Sequence, residues 1–178
     1  MATEGSSEEQ VEDEGGDRYF FLSTWKRFGH HRMYLRDPEG ERLGWTDLKT
    51  NTIHLECEEE EAGFAKALLE AADPTGIKLA PGDLPKVAGQ LWGGRLLSRI
   101  VRLHASVLVG QEWRAFGKHR LYGTLIDPLV TTFDLGYVDL ATEEIHPSST
   151  DDVSADRESP EHYLAELLER FPRKDPGA

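Results

Sequence analysis

Residues 25–34 read Trp25-Lys26-Arg27-Phe28-Gly29-His30-His31-Arg32-Met33-Tyr34, and residues 113–122 read Trp113-Arg114-Ala115-Phe116-Gly117-Lys118-His119-Arg120-Leu121-Tyr122. Trp, Phe, Gly, His, Arg and Tyr recur at a constant offset of 88 (113 minus 25). Further on, Gly44, Asp47, Leu48, Thr50, Ile53 and His54 return as Gly136, Asp139, Leu140, Thr142, Ile145 and His146, now offset by 92 (136 minus 44). Phe64, Leu68, Leu69 and Glu70 are echoed by Tyr163, Leu167, Leu168 and Glu169. The offset grows only where a loop has lengthened. An internal duplication outranks every other signal in a chain, because it sets the architecture.

Within the first copy, residues 19–28 are rich in aromatics and suit a strand that Gly29 breaks. Residues 31–36 and 42–48 flank Asp37-Pro38-Glu39-Gly40, where Pro and Gly suit a type I turn closed by a G1 bulge. That turn pairs residue 37 with 41, Leu35 with Leu43, Met33 with Trp45 and His31 with Asp47, which gathers the apolar side chains on one face. Residues 52–56 can add a short strand. Glu59 to Ala72 reads as a helix with Phe64, Leu68 and Leu69 on one side, stopped at Asp73-Pro74. The second copy repeats the plan with a longer hairpin through Asp127-Pro128. Its helix opens on Ser159 as cap and Pro160 at the first position.

The expected architecture is therefore α+β: two tandem β-β-β-α repeats related by a pseudo-twofold. They are joined by a linker with a short basic helix, Arg95 to His104. The expected organisation is a disordered acidic tail over 1–17, a first repeat over 18–73, a linker over 74–108, a second repeat over 109–172 and a terminal tail over 173–178. Such a plan buries Trp25, Met33, Leu35, Trp45 and Leu68 with their counterparts.

Charge is unevenly placed. The formal net charge is −13, but residues 1–17 carry seven acids and no base, and 151–161 carry five acids against Arg157. Acidity thus belongs to a tail and a loop, a composition typical of solvated segments. The single cysteine, Cys57, excludes an internal disulfide, and no apolar run approaches the length that spans a bilayer. The expectation is a cytoplasmic chain without a membrane partner.

Residues 25–34, with Gly44-Trp45-Thr46-Asp47-Leu48-Lys49-Thr50, resemble a segment of actinobacterial proteins that in some cases sits beside a nuclease-related (NERD) domain. The shared pattern is Trp, two residues, aromatic-Gly, two residues, Arg, one residue, Tyr, then a Gly-aromatic-x-Asp-Leu strand. The resemblance covers both repeats. It implies an accessory or binding module of a cytoplasmic bacterial protein. The nuclease core, a strand ending in Glu-x-Lys, is not evident: Asp134 to Asp139 is the nearest imitation and lacks the Lys.

Three sets of residues invite a functional reading. His31, Asp47 and His54, with His119, Asp139 and His146, combine imidazoles with a carboxylate. Such a set can orient a base or hold a metal, but equally makes a cross-strand polar pair that fixes register. Trp25, Arg32 and Tyr34, with Trp113, Arg120 and Tyr122, can stack bases and grip phosphate, or clad the second face of a sheet. Arg95, Arg99 and Arg102 fall on one helix face and form a stripe fit for phosphates.

Signals for covalent catalysis fail. Gly93-Gly94 lacks a following Gly-Lys-Ser/Thr, and Ser23, Ser98 and Ser106 lack an elbow motif. Cys57 stands beside Glu56, Glu58 and Glu59, which disfavour a thiolate. The leading expectation is a non-catalytic interaction or regulatory module with a protein partner and no cofactor. The alternatives are a nucleic-acid-associated accessory protein acting through Arg95, Arg99 and Arg102 with Arg32 and Arg120, and a metal-dependent hydrolase using the His/Asp sets.

Overall fold

The structure is a computed structural model, and it describes residues 17–58, 62, 65–66, 68–70, 72, 106–126, 132–148 and 157–176. The expected acidic tail (save Asp17), the basic linker helix with Arg95, Arg99 and Arg102, and most of the 151–161 loop lie outside the described residues.

Among the described residues eight strands form one sheet: β1 (Arg18–Arg27), β2 (His30–Arg36), β3 (Arg42–Asp47), β4 (Thr52–Leu55), β5 (Val107–Ala115), β6 (Lys118–Ile126), β7 (Thr132–Asp139) and β8 (Glu144–Pro147). Their order is β4-β3-β2-β1-β5-β6-β7-β8, antiparallel throughout except for the parallel pair β1 and β5 at the centre. The expected α+β plan of tandem β-β-β-α repeats is therefore corrected. Among the described residues the chain is mainly β, with a single continuous mixed sheet, four strands in each half, and two short helices. One is helical at residues 62, 65, 66 and 68–70; the other is Pro160–Arg170.

The physical reason lies in β1 and β5. Phe20, Phe21 and Leu22 are all buried, as are Val107, Leu108 and Val109. Consecutive buried residues mean that both faces of these strands are covered, the mark of central strands rather than of an edge. Tyr19 pairs with Leu108 and Phe20 with Val109 across the seam.

A mirrored strand order about a parallel pair turns one half over relative to the other. Phe20 and Met33 lie in one core with Ala65, Leu68 and Leu69, whereas their counterparts Leu108 and Leu121 lie in another with Leu164 and Leu167. The two cores occupy opposite faces, each under its own helix. The seam crosses over as well: Val107 and Val109 enter the first core, and Phe21 the second. Neither half closes its core alone.

The C-terminal helix starts as its sequence dictates. Ser159 Oγ accepts from the His162 amide at 3.2 Å, and Pro160 stands in the first turn, where no amide is needed. Beyond Phe171 the chain crosses the sheet as a strap. Arg36, 1 % exposed, donates to the carbonyls of Lys174 (2.7 Å) and Pro172 (3.4 Å) and to Ser23 Oγ (3.3 Å).

Candidate functional site: the aromatic ladders and the hairpin tips

The hairpin register decides which side chains share a face. The expected turn at 37–41 forms: Gly40 has φ +86°, and the Asp37 amide donates to the Glu41 carbonyl at 3.0 Å. A second irregularity follows. Arg36 pairs with Arg42 but Leu35 pairs with Gly44, so Leu43 is an extra residue that bulges out of the ladder. β7 does the same at Leu135, between the pairs Thr124–Asp134 and Gly123–Gly136. Beyond each bulge the register moves by one.

This corrects the expected pairing. Asp47 lies opposite Arg32, not His31, and Trp45 lies opposite Tyr34, not Met33. Met33, Leu35 and Leu68 are buried as expected, but Trp25 and Trp45 are only half-buried, on the face opposite Met33. His31, one residue from Arg32, faces away from Asp47 by strand alternation.

The shift assembles an aromatic ladder across four strands. Trp25 meets Tyr34 edge-on at 6.2 Å, Tyr34 meets Trp45 at 6.1 Å, and Trp45 stacks on His54 at 4.2 Å. The Arg32 guanidinium lies 4.0 Å from the Trp45 centroid and donates to Tyr34 Oη at 3.0 Å. The second half repeats it. Trp113 meets Tyr122 at 6.1 Å, Tyr122 meets Tyr137 at 5.3 Å, and Tyr137 stacks on His146 at 4.6 Å. Arg120 sits 4.2 Å over Tyr137 and donates to Tyr122 Oη at 2.9 Å. That bond is the main reason the Arg120 guanidinium holds its proton more tightly than usual. Arg32 and Arg120 are thus engaged in cladding the face of each half opposite its core.

The carboxylates are engaged too. Asp47 Oδ1 accepts from the amides of Lys49 (2.9 Å) and Thr50 (3.3 Å), and Asp139 Oδ1 from those of Ala141 (2.9 Å) and Thr142 (3.2 Å). The Lys49 amide is the largest cause holding the Asp47 carboxyl below its ordinary range. Each Asp caps the turn between its third and fourth strands. His119 binds Glu112 at 2.6 Å, and His146 binds Glu144 at 2.8 Å. His31, Asp47 and His54 therefore do not converge, nor do their copies, and among the described residues no group of three His, Cys, Asp or Glu is placed to hold a metal.

The sequence pattern marks Phe28 and Phe116 only as scaffold anchors; the structure shows them strained and exposed. They occupy the first position of the two-residue turns Phe28-Gly29 and Phe116-Gly117, between β1 and β2 and between β5 and β6. Both turn residues have positive φ: 52° and 78° in the first, 53° and 74° in the second. This is the type I′ geometry that Asn-Gly satisfies cheaply. A bulky residue there is strained. Phe28 is 85 % exposed and Phe116 92 % exposed. The available signal was Phe-Gly standing, twice, where a hairpin ordinarily takes Asn-Gly.

Because β1 and β5 are parallel neighbours, both tips leave the same end of the sheet. Each ring leans toward its own tryptophan, Phe28 to Trp25 at 6.5 Å and Phe116 to Trp113 at 6.4 Å. The tryptophans lie on opposite faces, so the two rings stand toward opposite faces of the sheet, like two prongs. Beside them, the strap over β1 encloses a cleft of about 450 Å³ whose charged lining is Lys26, Arg27, Arg114, Arg173 and Lys174 with Glu112 and Asp175.

Comparison with protein-family models, with curated proteins and with solved structures finds no match. Among the described residues no helix is long and apolar enough to cross a membrane.

Proposed function

We propose that the protein is a non-catalytic interaction module that meets its partner through the two hairpin tips, in the cytoplasmic setting that a single cysteine suits. The observation that carries this reading is the duplicated exposure of Phe28 and Phe116 in a strained backbone conformation. Backbone strain persists where it serves contact or catalysis. Large exposed apolar groups at paired, rigid positions serve recognition.

The ladders support the reading. They stiffen each hairpin down to its turn through Trp25 and Trp113, so that the prongs are presented on a fixed frame. The experiment is site-specific photocrosslinking in cells, with benzoylphenylalanine in place of Phe28 or Phe116. Discrete adducts are expected from both positions and not from position 55, a residue exposed on β4. Adducts no more abundant than at position 55 would contradict the reading.

A further inference from the structure

We propose that the paired tips form a binding site for single-stranded nucleic acid, with Phe28 and Phe116 stacking on bases and Lys26, Arg27, Arg114 and Lys118 holding phosphates. The inference rests on the reading that the tips are contact residues, and adds the class of partner.

Three observations point to it. First, the partner is anionic. Residues 26–31 and 114–119 contain Lys26, Arg27, Arg114, Lys118 and three histidines, and no acid, within a chain of net charge −13. The adjoining cleft adds Arg173, which pairs with Glu143 at 3.1 Å, and Lys174, against the two acids Glu112 and Asp175. Arg27 and Arg114 lean on Asp175 (3.7 Å) and Glu112 (3.9 Å), pairings loose enough to yield to a phosphate. Second, the exposed apolar groups are aromatic rings at both tips, and rings offer the π-faces on which bases stack in any sequence. Phe28 stands beside Trp25, which also lies parallel to His30 at 6.5 Å.

Third, the layout suits a narrow, flexible ligand. Where β1 and β5 pair, up to Ser23 and Glu112, the hairpin centres lie about 10 Å apart, two strand spacings. The prongs splay toward opposite faces, so a chain that reaches both must bend across the end of the sheet. A flat anionic surface fits less well. The turns capped by Asp47 and Asp139, with Glu143 and Glu144, stand at the same end on the outer strands, and a bilayer pressed onto the tips would meet those carboxylates. A single strand crossing only β2, β1, β5 and β6 avoids them.

The test is fluorescence anisotropy of the full chain with labelled oligonucleotides of about 15 nucleotides, DNA and RNA, at low and moderate salt. Binding is expected, tighter for single strands than for the same sequence as a duplex. Phe28→Ala and Phe116→Ala should each weaken it about tenfold or more. Phe28→Leu with Phe116→Leu, which keeps apolar bulk and removes the ring, should weaken it as much as the double Ala change. Lys26→Ala with Lys118→Ala should lower the log–log salt slope by about 0.7 for each phosphate that is no longer neutralised. Absence of binding at low salt, tighter binding to duplex, or an unaffected double Ala variant would overturn the inference. So would Phe-dependent binding to phosphatidylserine vesicles without oligonucleotide binding. Phe-dependent protein crosslinks without oligonucleotide binding would overturn the nucleic-acid inference and leave the contact role of the tips standing.

Discussion

Arg36 and Lys174, 138 positions apart, are joined by a 2.7 Å hydrogen bond from Arg36 Nη1 to the Lys174 carbonyl. The guanidinium is buried, and burial lowers its proton affinity against the opposing pull of Glu112 and Asp175. It holds the strap against the sheet where the C-terminal helix no longer covers it, and the strap in turn forms one wall of the cleft beside the tips.

Arg36→Met should therefore destabilise the chain by about 2–4 kcal/mol, since buried carbonyls lose their donor and the strap its anchor. Deleting residues 172–178 should cost a comparable amount, because it strands the guanidinium. The two changes together should cost much less than their sum, as touching groups do in a double-mutant cycle. Urea denaturation of the four proteins measures this; simple additivity would mean that the strap is held elsewhere.

The bulge at Leu43 sets the register and can be read chemically. In a Cys57→Ser background, cysteines at 32 and 47 face each other across β2 and β3 and should oxidise to a disulfide. Cysteines at 31 and 47 point to opposite faces and should stay reduced. The reverse outcome would restore the His31–Asp47 pairing. The readout is electrophoretic mobility without reductant.

Gly136 sits at the second bulge with φ +101°, and a Cβ there would stand 2.2 Å from the His146 carbonyl oxygen. Gly136→Ala should cost about 2–4 kcal/mol, combining left-handed strain with displacement of β8. Gly117→Ala, at φ +74° with nothing within 4 Å of the added Cβ, should cost only the strain, about 1 kcal/mol. Thermal or urea midpoints rank the two; equal losses would mean that β8 can move away freely.

The phenol of Tyr19 is pushed up to about 12, chiefly by burial, against the partial relief of Arg170, whose guanidinium lies 4.4 Å from the ring centroid. An unfolded tyrosine ionises near 10. The folded chain thus keeps a proton that the unfolded chain releases. The contribution is complete below pH 10 and is lost as pH rises toward 12. Tyr19→Phe should flatten part of that alkaline loss. Tyr163, which burial also raises, adds to that loss. A stability profile between pH 9 and 12 identical in wild type and Tyr19→Phe would contradict the assignment.

The duplication was legible because identical anchors in fixed order leave a trace that no packing detail can blur. The hairpin at 37–41 was equally plain, since Pro38 and Gly40 specify it locally. The single sheet was not: it depends on β1 meeting β5, with Arg18 opposite Val107, and the only local trace is the unbroken apolar run in each strand. The register failed at Leu43, where an apolar residue bulges without any Gly or Pro signal of its own. Gly44 beside it stood out as a repeat anchor rather than as the place where the His54 backbone comes close. Phe28 and Phe116 were visible throughout. Their meaning needs φ and exposure, which a repeat pattern does not carry.

The proposed function requires that Phe28 and Phe116 are kept for contact rather than for stability, and the thermal midpoint of Phe28→Asn with Phe116→Asn tests that most directly. Asn accepts positive φ at the first position of a type I′ turn, and the rings bury little where they stand. Relief of about 0.5–1 kcal/mol at each tip should raise the midpoint by a few degrees, at about 2–4 °C per kcal/mol for a chain of this size. A midpoint lowered by several degrees would show that the rings hold the fold together, and the contact role of the tips would fall.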